Sequence, residues 1–245
     1  MTAWMWVPIT ILAALFQTFR NTAQRHLVAD VGMLGATLVR FLYGLPFAAA
    51  WLAGVWIVLD PPLAAAAQRG GAAFFLWMGT GAIMQLAATA LLLRAMTERN
   101  FVLGVAYSKT EILQVAVFGL AFLGDPLSVA AVVAIVAASV GVMLVSLPKN
   151  APVLRLILGS WTTPAALYGL ASGTGFAISA VGYRGAILEL VPLEPMAAAA
   201  YTLVWAQAIQ TILLGGWLAV FDRAAIRAIF RAWGVSTLAG FLGAL

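Results

Sequence analysis

The residues best able to do chemistry in this chain are a few polar side chains set in long apolar runs. The densest group is Tyr107, Glu111 and Gln114. Their i, i+4, i+7 spacing places the three on one face of a helix, with Thr110 beside them. Lys109 stands two residues from both Tyr107 and Glu111, so it points elsewhere and does not pair readily with that carboxyl. An ionisable group at mid-membrane costs about 2.5–3.5 kcal/mol on insertion scales. Glu111 therefore needs a cation from another helix, or it is protonated in place. Arg40 and Arg20 are the available cations, and Arg40 is the expected partner. Two readings of Glu111 stand level: a carboxyl that binds substrate or carries a proton, and a structural Arg–Glu tie between helices.

Other polar side chains recur at helical spacing. Gln17, Asn21 and Gln24 follow i, i+4, i+7, with Arg20 alongside, a stripe that suggests a wet face toward a cavity. The competing reading puts Arg20, Gln24 and Arg25 at a helix end, snorkelling to the interface. That reading is favoured for Arg25, and the cavity reading for Gln17. Tyr201 and Trp205 lie at i, i+4, followed by Gln207 and Gln210, and their rings could stack an apolar or cationic substrate; such rings in spans also serve as plain packing. Trp77 and Gln85 add to the set. The expected substrate-binding residues are thus Gln17, Asn21, Arg40, Trp77, Tyr107, Glu111, Gln114, Tyr201 and Trp205. Glycines read mainly as packing: Gly169-x-x-x-Gly173 and Ala137-x-x-x-Gly141 permit close helix approach, with hinge roles for Gly79 and Gly81 or Gly173 and Gly175 as the alternative.

Catalytic constellations do not emerge. The chain has no Ser/His/Asp set, no paired intramembrane carboxylates and no phosphate-cradling Gly-Lys-Ser/Thr loop. It has no cysteine and a lone histidine, His26, which excludes thiolate and His-rich metal centres. Neither enzymatic activity nor a cofactor or metal is expected.

The elements that must position these residues follow from composition. Of the 245 residues 64% are hydrophobic and only 9% charged, and the mean hydropathy is +1.04. Globular proteins carry about 25% charged residues, so this is the composition of a bilayer-spanning protein. About 20 residues at 1.5 Å rise cross roughly 30 Å of hydrocarbon. On that scale the chain divides into segment one (Trp4–Gln24), two (Met33–Leu59), three (Ala72–Met96), four (Phe101–Phe122) and five (Leu127–Leu147). A polar link, Pro148-Lys149-Asn150-Ala151-Pro152 with Arg155 beyond it, precedes segments six (Pro164–Tyr183) and seven (Pro195–Phe221). Segment eight starts at Trp233 and its residues to Leu245 make about 20 Å of helix, too short to cross. The amino terminus lacks the basic region of a cleavable signal peptide, and Trp4 and Trp6 read as interfacial anchors. A net charge of +5 in such a chain reflects topology and anionic lipid contact, and nucleic acid is not an expected partner.

The pattern of segments starts again from about Pro164. A shift of about 159 residues lays Arg25 on Arg184, and a slightly longer one lays Ala36-Thr37-Leu38 on Ala198-Ala199-Ala200. Five segments per copy is an odd number, so the second copy must sit inverted in the membrane, as in many secondary transporters. The expected fold is all-α and polytopic, with two inverted five-helix repeats at 1–150 and 160–245. The second is truncated in segment eight, leaving about 55 residues outside the sequence on the ten-helix reading.

Three short motifs carry a family resemblance. Arg40 sits in Leu38-Val39-Arg40-Phe41, early in segment two. Leu123-Gly124-Asp125-Pro126-Leu127-Ser128 follows segment four, and segment five ends in Val140-Gly141-Val142-Met143-Leu144-Val145. With the repeat, these make the chain resemble the EamA family of the drug/metabolite transporter superfamily, which places an arginine, a Gly-Glu turn and a Gly-Val-aliphatic run there. The resemblance implies ten helices in two repeats and transport of small molecules. The chain departs from the family at Tyr107-Ser108-Lys109-Thr110-Glu111, where small residues and a proline are common. Segment one also lacks the acidic residue that the small four-helix multidrug relatives use for protons, so proton coupling does not carry over.

Orientation is contested by two arguments. Arg25, Arg94, Arg99, Lys149, Arg155, Arg223, Arg227 and Arg231 fall on one side, and only Arg69 and Arg184 on the other. The positive-inside rule then puts the amino terminus outside, whereas the family resemblance implies cytoplasmic termini. The resulting expectation is a multi-pass secondary transporter of a bacterial plasma (inner) membrane, exporting small metabolites or amphipathic compounds from a site between the repeats. The alternative is a non-transporting assembly or lipid-interacting membrane protein whose polar residues only tie helices together.

Overall fold

A long apolar run in a bilayer has one stable backbone solution, because a helix satisfies its own N–H and C=O groups where no water can. The computed structural model describes residues 6–59, 70–99, 101–146 and 162–244. Trp4, Arg69 and the Pro148–Pro152 link with Arg155 lie outside them. The helices are α1 (Trp6–Leu42), α2 (Gly44–Leu59), α3 (Ala72–Thr97), α4 (Phe101–Ser108), α5 (Glu111–Phe118), α6 (Val129–Ser146), α7 (Pro164–Glu189), α8 (Pro195–Phe221), α9 (Arg223–Arg231) and α10 (Trp233–Ala244), with a π-helical turn at Gly119–Leu123. Among the described residues there is no strand. Five stretches are long and apolar enough to cross a membrane: Thr10–Leu59, Ala72–Thr97, Phe101–Leu123, Pro164–Glu189 and Pro195–Phe221. The chain is an all-helical protein with the spans of an integral membrane protein.

Thr10–Leu59 is 50 residues long, about 75 Å if straight, more than twice a hydrocarbon core. It is not straight. Gly32 has φ 72° and ψ 171°, a region that essentially only glycine occupies. The Gln24 side-chain Nε2 donates to the Ala36 carbonyl at 3.1 Å, although twelve residues along a continuous helix would be about 18 Å apart. The chain folds back at Gly32, giving two arms that correspond to segments one and two. The sequence reading ended segment one at Gln24 and left a loop to Met33. Instead the first arm stays helical to the turn, because Leu27 and Val31, at i, i+4, are both buried and extend its apolar face.

Two further interruptions have local causes. Segment two breaks at Tyr43, between α1 and α2, because Pro46 has no N–H for the Leu42 carbonyl. Segment four breaks between α4 and α5. Lys109 N donates to Ala106 O at 3.1 Å and Thr110 N to Tyr107 O at 3.2 Å, both one residue short of α-helical spacing. The Ser108 hydroxyl takes the Val105 carbonyl at 2.8 Å and the Thr110 hydroxyl the Tyr107 carbonyl at 2.7 Å, so side chains compete with the backbone ladder.

The helices group into two compact units, 1–69 with 190–245 and 70–189. The first contains α1, α2, α8, α9 and α10, and the second α3 to α7. These units cut the chain at other places than the repeat boundaries at 150 and 160, and each contains helices from both expected repeats. In the second unit α3 lies along α7, and small residues set the spacing. A Cβ on Gly182 would lie 2.9 Å from both the Gly81 nitrogen and the Trp77 carbonyl oxygen. Ser172 Oγ donates to Ala88 O at 2.8 Å and Tyr183 Oη to Gln85 Oε1 at 2.7 Å across the same contact. Gly169 and Gly173 bring α7 against the backbone of Gly104 and Ser108 on α4, the close approach expected of that pair. Gly141 has open space where a Cβ would go, so the Ala137–Gly141 pair makes no such approach among the described residues.

In the first unit α8 starts at Pro195, with Glu194 Oε2 accepting from Met196 N at 3.2 Å. The short helix α9, which the hydropathy pattern passed over, is capped by Asp222, whose Oδ1 accepts from Ala225 N at 3.0 Å. It buries Ala225 and Ile229 and exposes Arg223, Arg227 and Arg231.

Two pairs of substitutions check this architecture. Gly32→Ala should lower stability by about 1–3 kcal/mol through backbone strain alone, since nothing lies within 4 Å of a Cβ there. Gly54→Ala, equally open but helical, should be neutral or stabilising. Gly182→Val should cost about 1–3 kcal/mol or more by overpacking backbone on backbone, whereas Gly79→Ala, with open space, should cost little. Thermal unfolding of the purified variants measures both pairs; equal melting of Gly32→Ala and Gly54→Ala would refute the strained turn.

Candidate functional site

The nine expected site residues divide between the two units. Gln17, Asn21, Arg40, Tyr201 and Trp205 belong to the first, and Trp77, Tyr107, Glu111 and Gln114 to the second. In the first unit the turn at Gly32 sets the register of the α1 hairpin. With Gln24 held against Ala36, one helical turn farther from Gly32 on each arm places Arg20 across from Arg40. The two are close enough for their like charges to interact. Both are buried, Arg20 at 8% exposure and Arg40 at 9%.

That placement corrects one sequence expectation. Arg20 and Gln24 are not at a helix end and do not snorkel; the helix runs on to the Gly32 turn and both side chains are buried. Arg25 is exposed, but it too lies within the helix, seven residues before the Gly32 turn. Arg20 Nη2 donates to Asn21 Oδ1 at 3.2 Å, and its Nε has no hydrogen-bond partner. Arg40 carries its guanidinium over the Phe41 ring at 5.2 Å, a cation–π contact. Like charges this close within one apolar hairpin repel each other. Gln17, three residues nearer the amino terminus than Arg20, is exposed.

On α8, Tyr201 and Trp205 meet edge to face, with ring centroids 6.3 Å apart and planes at 63°. Trp205 is exposed and Tyr201 half-buried. Thr202, Gln207 and Gln210 are buried on the same helix. Gln207 Oε1 lies where a Cβ on Gly44 would go, 2.7 Å away, so only glycine lets this amide approach the start of α2. Thr202 Oγ1 and Gln207 Oε1 lack hydrogen-bond partners. A separate groove of about 430 Å³ between α2, α8 and α10 is lined by Phe47, Trp51, Leu203, Phe241 and alanines. Among the described residues its lining is apolar apart from the indole N–H of Trp51.

In the second unit the break in segment four separates the expected triad. Tyr107 ends α4, 3% exposed, while Glu111 and Gln114 lie on α5, half-buried. The one-face geometry that i, i+4, i+7 spacing implies belongs to a continuous helix, which this is not. A different chain of contacts joins them: Gln114 Nε2 donates to Thr110 Oγ1 at 3.0 Å, and that hydroxyl donates to the Tyr107 carbonyl. The same break puts Glu111 in the first turn of α5, the end of a helix dipole that favours a carboxylate. Trp77 is a packing residue: its ring lies on Gly185, whose Cβ would meet it at 2.6 Å.

Near the Gly124 turn, Arg184 Nη2 binds Asp125 Oδ1 at 2.7 Å. These two and Ile112, Val115, Ala116 and Val181 border a cavity of about 240 Å³. Arg184 is exposed, so the pair contributes at most about 1 kcal/mol. The sequence reading counted Arg184 only as a topology charge, and the 59-residue separation explains why: no local pattern pairs it with Asp125. Among the described residues no group of three or more metal-binding side chains is found. Comparison with protein-family models, with curated proteins and with solved structures returns no match.

Proposed function

We propose that the chain is a secondary transporter that exports small metabolites or amphipathic compounds by alternating access between two inverted five-helix repeats, of the kind found in the EamA family, in a bacterial inner membrane. The supporting observation is the pattern of helix pairs. Exchanging the repeats carries segment three onto eight and six onto one, and swaps two with seven. A pseudo-two-fold relation therefore couples the pair three–six to eight–one and maps two–seven onto itself. In the fold α3 packs on α7, α10 packs on α1, which carries segment one and the start of segment two, and α2 packs on α8. Polar groups buried inside apolar spans add weight, since Arg20, Gln24, Arg40, Thr202, Gln207 and Gln210 are expensive in hydrocarbon and mark solute pathways.

The rival reading, a non-transporting assembly or lipid-interacting protein, draws on the Tyr183–Gln85 and Ser172–Ala88 bonds, which tie helices together. Single cysteines in this cysteine-free chain separate the two. Gln17→Cys, Glu111→Cys and Trp205→Cys should react with membrane-impermeant thiol reagents in intact membranes if they line an alternating-access cavity. Protection of all three positions would sink the transport reading.

The two roles of Glu111 also separate. As a functional carboxyl, Glu111→Gln should abolish most transport while leaving the melting temperature unchanged. As a tie to Arg40, it should cost about 3–5 kcal/mol by leaving one charge unmatched, and Arg40→Gln added to it should restore stability. Wild-type transport together with wild-type melting in Glu111→Gln would eliminate both roles.

A further inference from the structure

We propose that α9 is a lipid-docking helix, lying at the membrane surface and holding the phosphates of anionic phospholipids against Arg223, Arg227 and Arg231. This role requires a membrane protein and does not depend on transport. The helix joins α8, whose Pro195–Phe221 run is long and apolar enough to cross a membrane, to α10, which contains no charged residue. Its nine residues include three arginines and make about 13 Å of helix, too short and too charged to cross. Directly after a span, such a helix belongs at the interface. Rings of the kind that mark this level flank it on both sides. Trp217 and Phe221, on the last turns of α8, have ring centroids 5.1 Å apart, and Trp233 opens α10; Phe221 and Trp233 are both exposed.

The two faces of α9 differ sharply. Ala225 and Ile229, at i, i+4, are buried and seat the helix on α1, where Ile229 Cδ1 lies 3.7 Å from the place a Cβ on Gly35 would take. Arg223, Arg227 and Arg231, at i, i+4, i+8, are exposed and span an arc of about 80° on the opposite side. Arg223 Nε donates to Ala219 O at 3.0 Å and Arg227 Nε to Arg223 O at 3.4 Å, so the terminal nitrogens of both forks stay available. No ion pair engages the three arginines among the described residues. The adjacent carboxylate, Asp222, is turned to Ala225 N as the helix cap. A guanidinium fork matches phosphate oxygens, and an anionic surface attracts each basic side chain by about fivefold. The Phe230 ring, 59% exposed, sits about 20° around the helix from Arg223. A soluble acidic partner would leave that ring and its aromatic neighbours in water, whereas a headgroup layer takes cations and rings together.

Fluorescence quenching in vesicles tests the docking. The chain has no cysteine, so Ala224→Cys, at an exposed position of α9, carries a single bimane label. The whole chain is reconstituted in phosphatidylcholine containing equal mole fractions of spin-labelled phosphatidylglycerol or spin-labelled phosphatidylcholine, each with its nitroxide near the headgroup end of the acyl chain. Phosphatidylglycerol should associate at the label at least about threefold more strongly than phosphatidylcholine. At about 1 M salt, where the Debye length falls to about 3 Å, that preference should shrink toward parity. Arg227→Gln with Arg231→Gln should abolish it, while Arg227→Lys with Arg231→Lys, which keeps the charge, should retain more than half. If the double glutamine variant does not fold, Arg231→Gln alone should lower the preference measurably. Equal quenching by the two lipids, or a preference unchanged in the glutamine variants, would overturn the docking and leave the arginines as a water-facing stripe. Lipid preference in a chain that does not transport keeps this role and removes the transport reading; transport without lipid preference does the reverse.

Discussion

Hydrocarbon cannot hydrogen-bond, so every polar group held within it must be answered by the protein itself. Most features of this structure answer that constraint. Backbone groups are absorbed by helices, and where a helix is interrupted the local chemistry supplies substitutes. At Tyr43 the chain has Pro46 four residues past Leu42, which removes a donor, and Tyr43 N still reaches Val39 O at 3.1 Å. At Lys109 and Thr110 the ladder shortens by one residue while the Ser108 and Thr110 hydroxyls take up carbonyls.

Between helices the constraint works differently. Lipid tails are as apolar as leucine, so burying apolar side chains drives helix association weakly, and close backbone approach matters more. The contact of α3 with α7 shows the consequence. Gly81, Gly182 and Gly185 bring backbone and the Trp77 ring into direct contact. Once the backbones are that close, Ser172 and Tyr183 can reach across to Ala88 and Gln85. In the other unit Gly44 lets the Gln207 amide come equally close to the start of α2, though its Oε1 makes no hydrogen bond there. Small residues and polar side chains are therefore parts of one device: the first sets a distance at which the second can bond.

The α1 hairpin joins these effects where two buried cations meet. Gly32 permits a reversal that no other residue adopts without strain, the reversal allows the Gln24 amide to bind Ala36, and that register brings Arg20 level with Arg40. Two cations so placed repel each other. Electrostatics in this hairpin thus follows from a single backbone conformation twelve residues away from Arg20.

What the sequence determined by itself was the set of spans, because crossing a bilayer depends on local quantities: run length, hydropathy and the absence of charge. Segments three, six and seven match α3, α7 and α8 closely, and the Gly169–Gly173 approach was legible from spacing alone. The polar residues worth attention were also visible, since a polar side chain in an apolar run stands out at once. Their neighbours were not. Periodicity assumes an unbroken helix, so it joined Tyr107 to Glu111 across a break and ended segment one before a turn lying eight residues beyond Gln24. Only the tertiary structure decided that Arg20 faces Arg40, that Trp77 packs on Gly185 and that Arg184 binds Asp125 across 59 residues. Each of these depends on where the chain comes back on itself. In a membrane that return is set by backbone approach at single glycines and by the register it creates, quantities that no window of local composition contains.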